Sequence, residues 1–536
     1  MAYISLNPFW YNQFNNTIGI LLAVLGGLLL ILDGAYKNAL VKTIDGIEQL
    51  GPRVHGLIPL SIGYGSMWMI TRWMSTAHGV VARWVDVYPF PAGILCILAT
   101  LIGLLLSRHP IVTTRIWACL AVLGAIGLYF VSGPLGFLGG VLLLGVTASS
   151  WLAYTDRVCD FIQVHPNSLW KLLTLAHAWV LLLEVLTVWV VAYNFVPGGT
   201  VTRERVYLVL FAATFGLCWV NMDGFNQHRA QSERRSWIPR REVLITAGLI
   251  VVLLLAPASV YRAQRQSGTP EPSPEIDGFF TAMIWTIHFG YDNYGEGNFD
   301  MVLDMIHRVG RPEIIGLLET DLTRLFTGNR DLMEYLSESL HYYEDYGPPT
   351  RDNTWGCGLL SYYPIERAER YLMPSPTGEL APLIDATVNI NGTLVDVLVA
   401  HFGNFEDTED RRLQSELVHN VTTSKDSDRP TIFLGYVVAR PSHENVRKFY
   451  QAGFLDSAPH YYDRWCEYIF YKNVLLHEFS NESVGRISDT EWQKGYFQLS
   501  QFGDPAKLAQ LDQLVDKYRM IGENNAAATG SRRARQ

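Results

Sequence analysis

Charge is scarce in this chain: Asp, Glu, Lys and Arg make up 17% of its 536 residues, and only six residues are cysteine. Cys96, Cys119, Cys159, Cys218, Cys357 and Cys466 show none of the short paired spacings that bind zinc, which excludes a zinc ribbon or finger. Positive charge is what the second half lacks most. Residues 266–536 hold 24 Lys and Arg against 40 Asp and Glu, a balance of −16, whereas residues 1–265 hold 18 against 11, a balance of +7. Binding a phosphate backbone depends on cations that neutralise it, so no nucleic-acid partner is expected. There is no internal repeat, and no basic flank or small-residue cleavage site marks the first apolar run as a secretory signal.

Apolar length is abundant in the first half. Segments near the ~20 residues that a bilayer requires recur at Ile18–Leu32, Leu57–Thr71, Phe90–Leu106, Ile116–Val131, Gly136–Ala153, Leu169–Tyr193, Val206–Met222 and Val243–Val260. They predict a multi-pass α-helical membrane domain of about eight helices over residues 1–262. With Asn15 outside, the inner loops carry eleven basic residues and the outer loops four, Arg72, Arg83, Arg203 and Arg205. The excess belongs in the cytoplasm, so the C-terminal half is expected in the lumen. Sequons at Asn391, Asn420 and Asn481 are compatible with that side. His177 and Glu184 share one helical face and mark either a functional cavity or a pair that holds two helices. Gly136 and Gly140 read as a close-packing motif, and the tryptophans near the span ends as an interfacial belt.

A Pro-rich spacer, residues 263–279, leads to a different kind of sequence, and the tail 501–536 ends in a stretch that reads as disordered. Pro312 to Glu319 is a short apolar strand ending on one carboxylate. That carboxylate either marks the exit to solvent or emerges into a polar site. Other apolar strands are expected at Met283–Gly290, Trp355–Ile365, Val395–His401, Thr431–Gly435 and Cys466–Phe470, with a last element at Ser488-Asp489. Asn391-Gly392 signals a type I′ hairpin turn, and Asp410 to Gln414 opens a helix. Cys357 and Cys466 are expected as unpaired core thiols.

Strands that deliver Glu319, His401, Glu467 and Asp489 in this order resemble the endonuclease/exonuclease/phosphatase superfamily over residues 280–500. The resemblance implies an α/β two-sheet sandwich that cleaves phosphoesters with a divalent metal such as Mg2+. Glu319 matches the metal-holding Glu, His401 the strand-end phosphate-binding His, and Thr286 replaces the early Asn, with His288 nearby. The usual Gly-Asp-x-Asn is Gly435-Tyr436-Val437-Val438 here. The late carboxylate is kept as Glu467, and Ser488-Asp489-Thr490 lacks the closing His.

His288-Phe289-Gly290-Tyr291-Asp292-Asn293, Asp345-Tyr346-Gly347-Pro348, Pro374-Ser375-Pro376 with Gly378-Glu379, and Phe433-Leu434-Gly435-Tyr436-Val437-Val438 narrow the match. They are similar to the calcofluor-white-hypersensitive family of endoplasmic reticulum membrane proteins, which exchange the diacylglycerol of GPI anchors for ceramide. The resemblance implies a GPI-anchored protein's lipid and ceramide as substrates. It also implies the C-terminal portion of such a protein, working with a separate N-terminal membrane subunit. In that reading Glu319 holds the metal and His401 acts as general acid–base or phosphate contact. Asp489 and Glu467 orient the substrate, and His288 and Asp292 complete the rim. A luminal phosphodiesterase or phospholipase that uses water, and a non-catalytic GPI- or lipid-binding module, are the alternatives.

Overall fold

The computed structural model describes residues 56–75, 89–107, 109–131, 133–186, 205–222, 278–320, 332–347, 356–378, 380–426 and 428–502, together with Gln513. The predicted spans Ile18–Leu32 and Val243–Val260, and the spacer as far as residue 277, lie outside these. Six described α-helices precede the first strand: α1 (Leu57–Ser75), α2 (Pro89–Leu106), α3 (Arg115–Phe130), α4 (Gly133–Val164), α5 (Leu169–Val185) and α6 (Val206–Met222). At 16 to 19 residues, α1, α2, α3, α5 and α6 are each about 24–29 Å long, close to the hydrocarbon thickness of a bilayer. Within these elements, Gly133–Cys159 and Pro166–Val185 are long and apolar enough to cross a membrane by length and composition.

Contacts fix how the helices run. Trp179 Nε1 donates to Ser66 Oγ at 2.8 Å, and Arg72 pairs with Glu184 at 2.6 Å, so α1 and α5 are parallel. Trp117 Nε1 donates to Ser149 Oγ at 2.7 Å while Gly139 packs on Gly127, so α3 and α4 are antiparallel. Trp151 on Thr71 and Tyr154 on Gly63 set α4 against α1. Helices α3, α4 and α5 therefore alternate in direction. Glu184, buried in an apolar bundle, needs a partner, and Arg72 supplies it from the neighbouring helix; the ring of His177 lies against Trp68. Gly136 and Gly140 are buried, and at Gly139 beside them an added Cβ would lie 2.7 Å from the Gly127 backbone.

The C-terminal portion is a four-layer sandwich. One sheet has the order β11-β12-β1-β2-β4-β3 and the other β5-β6-β7-β8-β10-β9. The strands are β1 (Phe279–Thr286), β2 (Ile314–Thr320), β3 (Tyr343–Tyr346), β4 (Gly356–Ser361), β5 (Ile365–Met373), β6 (Ala381–Ile390), β7 (Thr393–His401), β8 (Thr431–Tyr436), β9 (Leu455–Asp456), β10 (Glu467–Lys472), β11 (Val474–Ser483) and β12 (Glu491–Leu499). An apolar core fills the space between the sheets. Helices α7 (Phe299–Arg308) and α8 (Leu332–Leu340) cover the outer face of the first sheet, and α9 (Thr408–Thr423) and α10 (Glu444–Gln451) that of the second.

The expected type I′ turn is present, with φ of 49° at Asn391 and 92° at Gly392, and the helix starting near Asp410 is α9. Three expectations need correction. β1 stops at Thr286, and His288–Gly290 is a 3-10 turn, not strand. Ile365 opens a separate strand, β5, across a bend after Ser361. Ser488-Asp489 lies in the turn between β11 and β12, two strands whose mixed polar sequences hide their half-buried character.

Candidate active site

Two registers bring the chemistry to one edge. In the second sheet, Val397, Val399 and His401 of β7 lie beside Ile432, Leu434 and Tyr436 of β8. Tyr471, Ile469 and Glu467 of β10 continue the same rows. Side chains two apart share a face, so the rows that build the inter-sheet core end in His401, Tyr436 and Glu467, side by side and facing the other sheet. In the first sheet, Phe280, Ala282 and Ile284 of β1 face the same core, and the row ends in Thr286.

Glu319 arrives by a different route. Ile314 and Leu318 of β2 face the inter-sheet core, so strict alternation would turn Glu319 away from it. The pairing of β2 with β4 slips between Leu317 and Thr320, and Glu319 takes the left-handed φ of 55°. A bulge of this kind re-aims a side chain, and left-handed backbone at a non-glycine residue is held only where the surroundings over-determine it. Here the result is a bond across the sheets: His401 Nε2 lies 3.3 Å from Glu319 Oε1. An ionised carboxylate offers no hydrogen, so the imidazole is the donor. The His401 ring is buried and stacks on Tyr436, with centroids 4.6 Å apart and planes at 8°. Glu319 is the more open member of the pair.

A second cross-sheet contact lies beside the first. Glu467 is fully buried and accepts from the backbone N–H and the hydroxyl of Thr286. Burial pushes its carboxyl up to about 8, against the pull of the Thr286 bonds, so it is mostly neutral at pH 7. Burial also raises the Tyr436 hydroxyl above its usual range, and the charges of Cys466, Glu319, Glu467 and Asp489 add to that shift. Tyr436 is therefore a neutral hydrogen-bond donor set among carboxylates. Sequence reasoning noted it only as a departure from an expected Asp; its register beside His401 and Glu467 makes it part of the site. Trp465 closes on Tyr436 edge-to-face at 6.3 Å.

The other expected residues divide. Asp489 stands exposed in the turn where Ser488 and Thr490 both bond the Thr286 carbonyl, so its field reaches the site. His288, at φ 48°, follows the end of β1 with its Nδ1 buried. Asp292 is not at an open rim. It is buried, receives the backbone N–H groups of Tyr294 and Glu296, and pairs with Arg486, which makes it the organiser of its loop. Val438, at the place of the superfamily's Asn, keeps a left-handed φ of 51° that suits Asn far better than a β-branched residue. Cys357 and Cys466 are free thiols that burial pushes up.

The donors do not assemble a resident metal site. Among the described residues, no group of three or more His, Cys, Asp or Glu is placed to hold one ion. The second carboxylate of the edge, Glu467, is neutral near pH 7 and committed to Thr286, whose hydroxyl donates instead of ligating. Glu319 and the exposed Asp489 are the carboxylates left at this edge as hard ligands, too few to enclose an ion.

Comparison with known proteins gives a consistent pattern. The profile described as "PGAP2IP, C-terminal nuclease-like domain" matches residues 277–520, and "PGAP2IP, second transmembrane domain" matches residues 54–231. Protein cwh43 of Schizosaccharomyces pombe is 31% identical over 526 residues, covering 92% of this chain and 52% of its own length. The chain thus spans about half the length of that curated relative. Solved structures similar to the C-terminal portion include an endonuclease/exonuclease/phosphatase from Beutenbergia cavernae, at 15% identity and a TM-score of 0.36, covering 41% of this chain and 72% of that one. The human Nocturnin catalytic domain with bound sulfate is another, at 16% identity and a TM-score of 0.34, covering 42% and 95%.

Proposed function

The chain belongs to the PGAP2IP family, and from that membership we propose that it remodels the lipid of GPI anchors in the endoplasmic reticulum membrane, exchanging diacylglycerol for ceramide. The observation that carries the chemical part is the Glu319–His401 pair at the end of the inter-sheet core. In the exchange, the ceramide hydroxyl oxygen forms a new bond to phosphorus while the bond from phosphorus to the diacylglycerol oxygen breaks. The hydroxyl proton passes to the Glu319–His401 pair and then to the departing diacylglycerol oxygen, so charge and atoms balance. Because His401 is buried and its Nε2 faces Glu319, Glu319 meets the nucleophile and His401 holds it in place. Tyr436, neutral and stacked on His401, donates to a phosphoryl oxygen as negative charge develops. A dry edge beside the bilayer favours a lipid alcohol over water.

The test is incubation of the purified chain with a labelled GPI anchor and ceramide, with and without EDTA. Ceramide-type product that depends on Glu319 supports the reading, and EDTA reports whether a divalent ion joins Glu319 at the substrate. Free inositol phosphate product in place of ceramide anchors would make the protein a hydrolase. A neutral Glu467 and a Tyr where the superfamily has its base favour a second reading, a non-catalytic lipid-binding module. Binding of the anchor without turnover would establish that reading.

A further inference from the structure

The edge that carries the site also carries the exposed aromatic side chains of the sandwich loops. Tyr294 follows β1 and is 76% exposed, Phe405 follows β7 and is 70% exposed, and Tyr462 and Trp465, just before β10, are 70% and 51% exposed. Register places all three loops together. The Thr286–Glu467 bond joins the end of β1 to the start of β10, the Glu319–His401 bond joins the end of β2 to that of β7, and β10 starts opposite Tyr436, the β8 neighbour of His401. Tyr294 and Phe405 are each held by an arginine over the ring, Arg486 at 5.2 Å and Arg411 at 5.5 Å, which presents them as ordered projections. Large aromatic side chains left in water around a site are unusual in a folded domain and mark a surface that something covers.

We propose that this aromatic rim seats on the bilayer surface, so that the site opens directly onto membrane lipid. Three features select a lipid surface as the occupant. The same chain carries a transmembrane-type region with six helices among the described residues, so a bilayer is always at hand. Aromatic side chains with an apolar body and a polar tip favour the membrane–water interface, and the rim is made of Tyr, Trp and Phe. The chain also permits the orientation. β1 enters the sandwich at the edge opposite the site, so seating the site needs a connection longer than β1. The eighteen residues 261–278 reach about 60 Å when extended, against about 26 Å for the eight residues of β1. Asn391, exposed at the hairpin tip of that opposite edge, would carry a glycan clear of the surface. The rim mixes Glu406 and Asp463 with Arg486, so its seating is apolar rather than electrostatic.

The inference rests on the bilayer as the source of the substrate, as proposed above, yet it is tested apart from the exchange chemistry. The full chain is reconstituted in phosphatidylcholine vesicles that contain a diazirine-bearing phosphatidylcholine, irradiated, and mapped by mass spectrometry. Lipid adducts are expected on residues 402–407 and 459–466 as well as on the helices, and equally at low and high salt. The triple variant Phe405→Ser, Tyr462→Ser, Trp465→Ser should lower the rim adducts by about tenfold, the equivalent of roughly 1.4 kcal/mol of surface affinity. Adducts on the helices, and hydrogen exchange of β7 and β8, should not change. His401→Ala should keep the rim adducts even where remodelling is lost, which separates the seating from the chemistry. Adducts confined to the helices, or rim adducts unchanged in the triple variant, would overturn the proposal. So would a rim that crosslinks only to another protein.

Discussion

At the scale of single residues, the site depends on two side chains that compete for one role. Glu319 is half-buried and bonded to His401, and the proposed exchange assigns it the nucleophile's proton. Glu319→Gln keeps shape and hydrogen-bonding reach but removes the charge. Ceramide-type anchors in cells that carry only this variant should fall by about 10²–10⁴-fold, at normal protein level. His401→Ala should lose activity similarly, because the carboxylate is then unheld. Wild-type anchor lipids in either variant would return the edge to a structural role. Glu467 makes a prediction of opposite character. Its carboxyl sits near 8 in the folded protein against an ordinary 4.5, so the folded state holds a proton that the unfolded state has released. The stability it contributes is complete below about pH 4.5 and is lost as pH rises towards 8, with a slope of at most about 1.4 kcal/mol per pH unit. Glu467→Gln keeps the acceptor for Thr286 without the titration. The melting temperature of the variant should therefore rise relative to the parent between pH 5 and pH 8; a constant difference over that range would remove Glu467 as the source.

At the scale of elements, the sandwich explains why the site sits at its edge. Each inner row is apolar until the last residue, where burial eases and a polar group becomes tolerable. The hairpin between β6 and β7 sets the register that ends in His401, and its turn was legible because Asn-Gly adopts left-handed backbone readily. In the helical region the decisive contact is Arg72 with Glu184 between α1 and α5. Arg72→Met leaves a buried carboxylate without its cation, a change that costs about 3–5 kcal/mol in comparable settings. Adding Glu184→Gln should recover most of that loss, since an uncharged pair needs no partner. Thermal stability of the detergent-solubilised chain checks this; a double variant no more stable than the single one would show that the pair does not join the helices.

At the scale of the whole molecule, two halves of opposite charge balance share one chain. The alternating directions of α3, α4 and α5 are what successive membrane crossings require. With the inner loops richer in basic residues by eleven to four, residues 280–500 are expected in the lumen. Protease added outside intact microsomes should leave them protected, and the exposed Asn391, Asn420 and Asn481 should accept glycans. Digestion of those residues in sealed vesicles would invert the topology and remove the luminal reading.

The sequence by itself determined the helical membrane region, because apolar length is a property of composition, while the sandwich was expected from the resemblance of its ordered strand-end motifs to a known superfamily. It also placed His401 at the end of its strand, because an apolar run that closes on a polar residue is legible without help from any neighbour. The tertiary structure decided the rest. Glu319 faces His401 only because the β2–β4 pairing slips and its backbone turns left-handed, an event set by the partner strand. Glu467 is neutral because the packing of the two sheets buries it, beside Thr286 from 181 residues away in the chain, whose bonds pull the other way. Asp292, which looked like a rim carboxylate, was claimed by Arg486 from a distant turn. Tyr436 became a site residue through its neighbours across the sheet, and local sequence holds no record of which side chains will share a row.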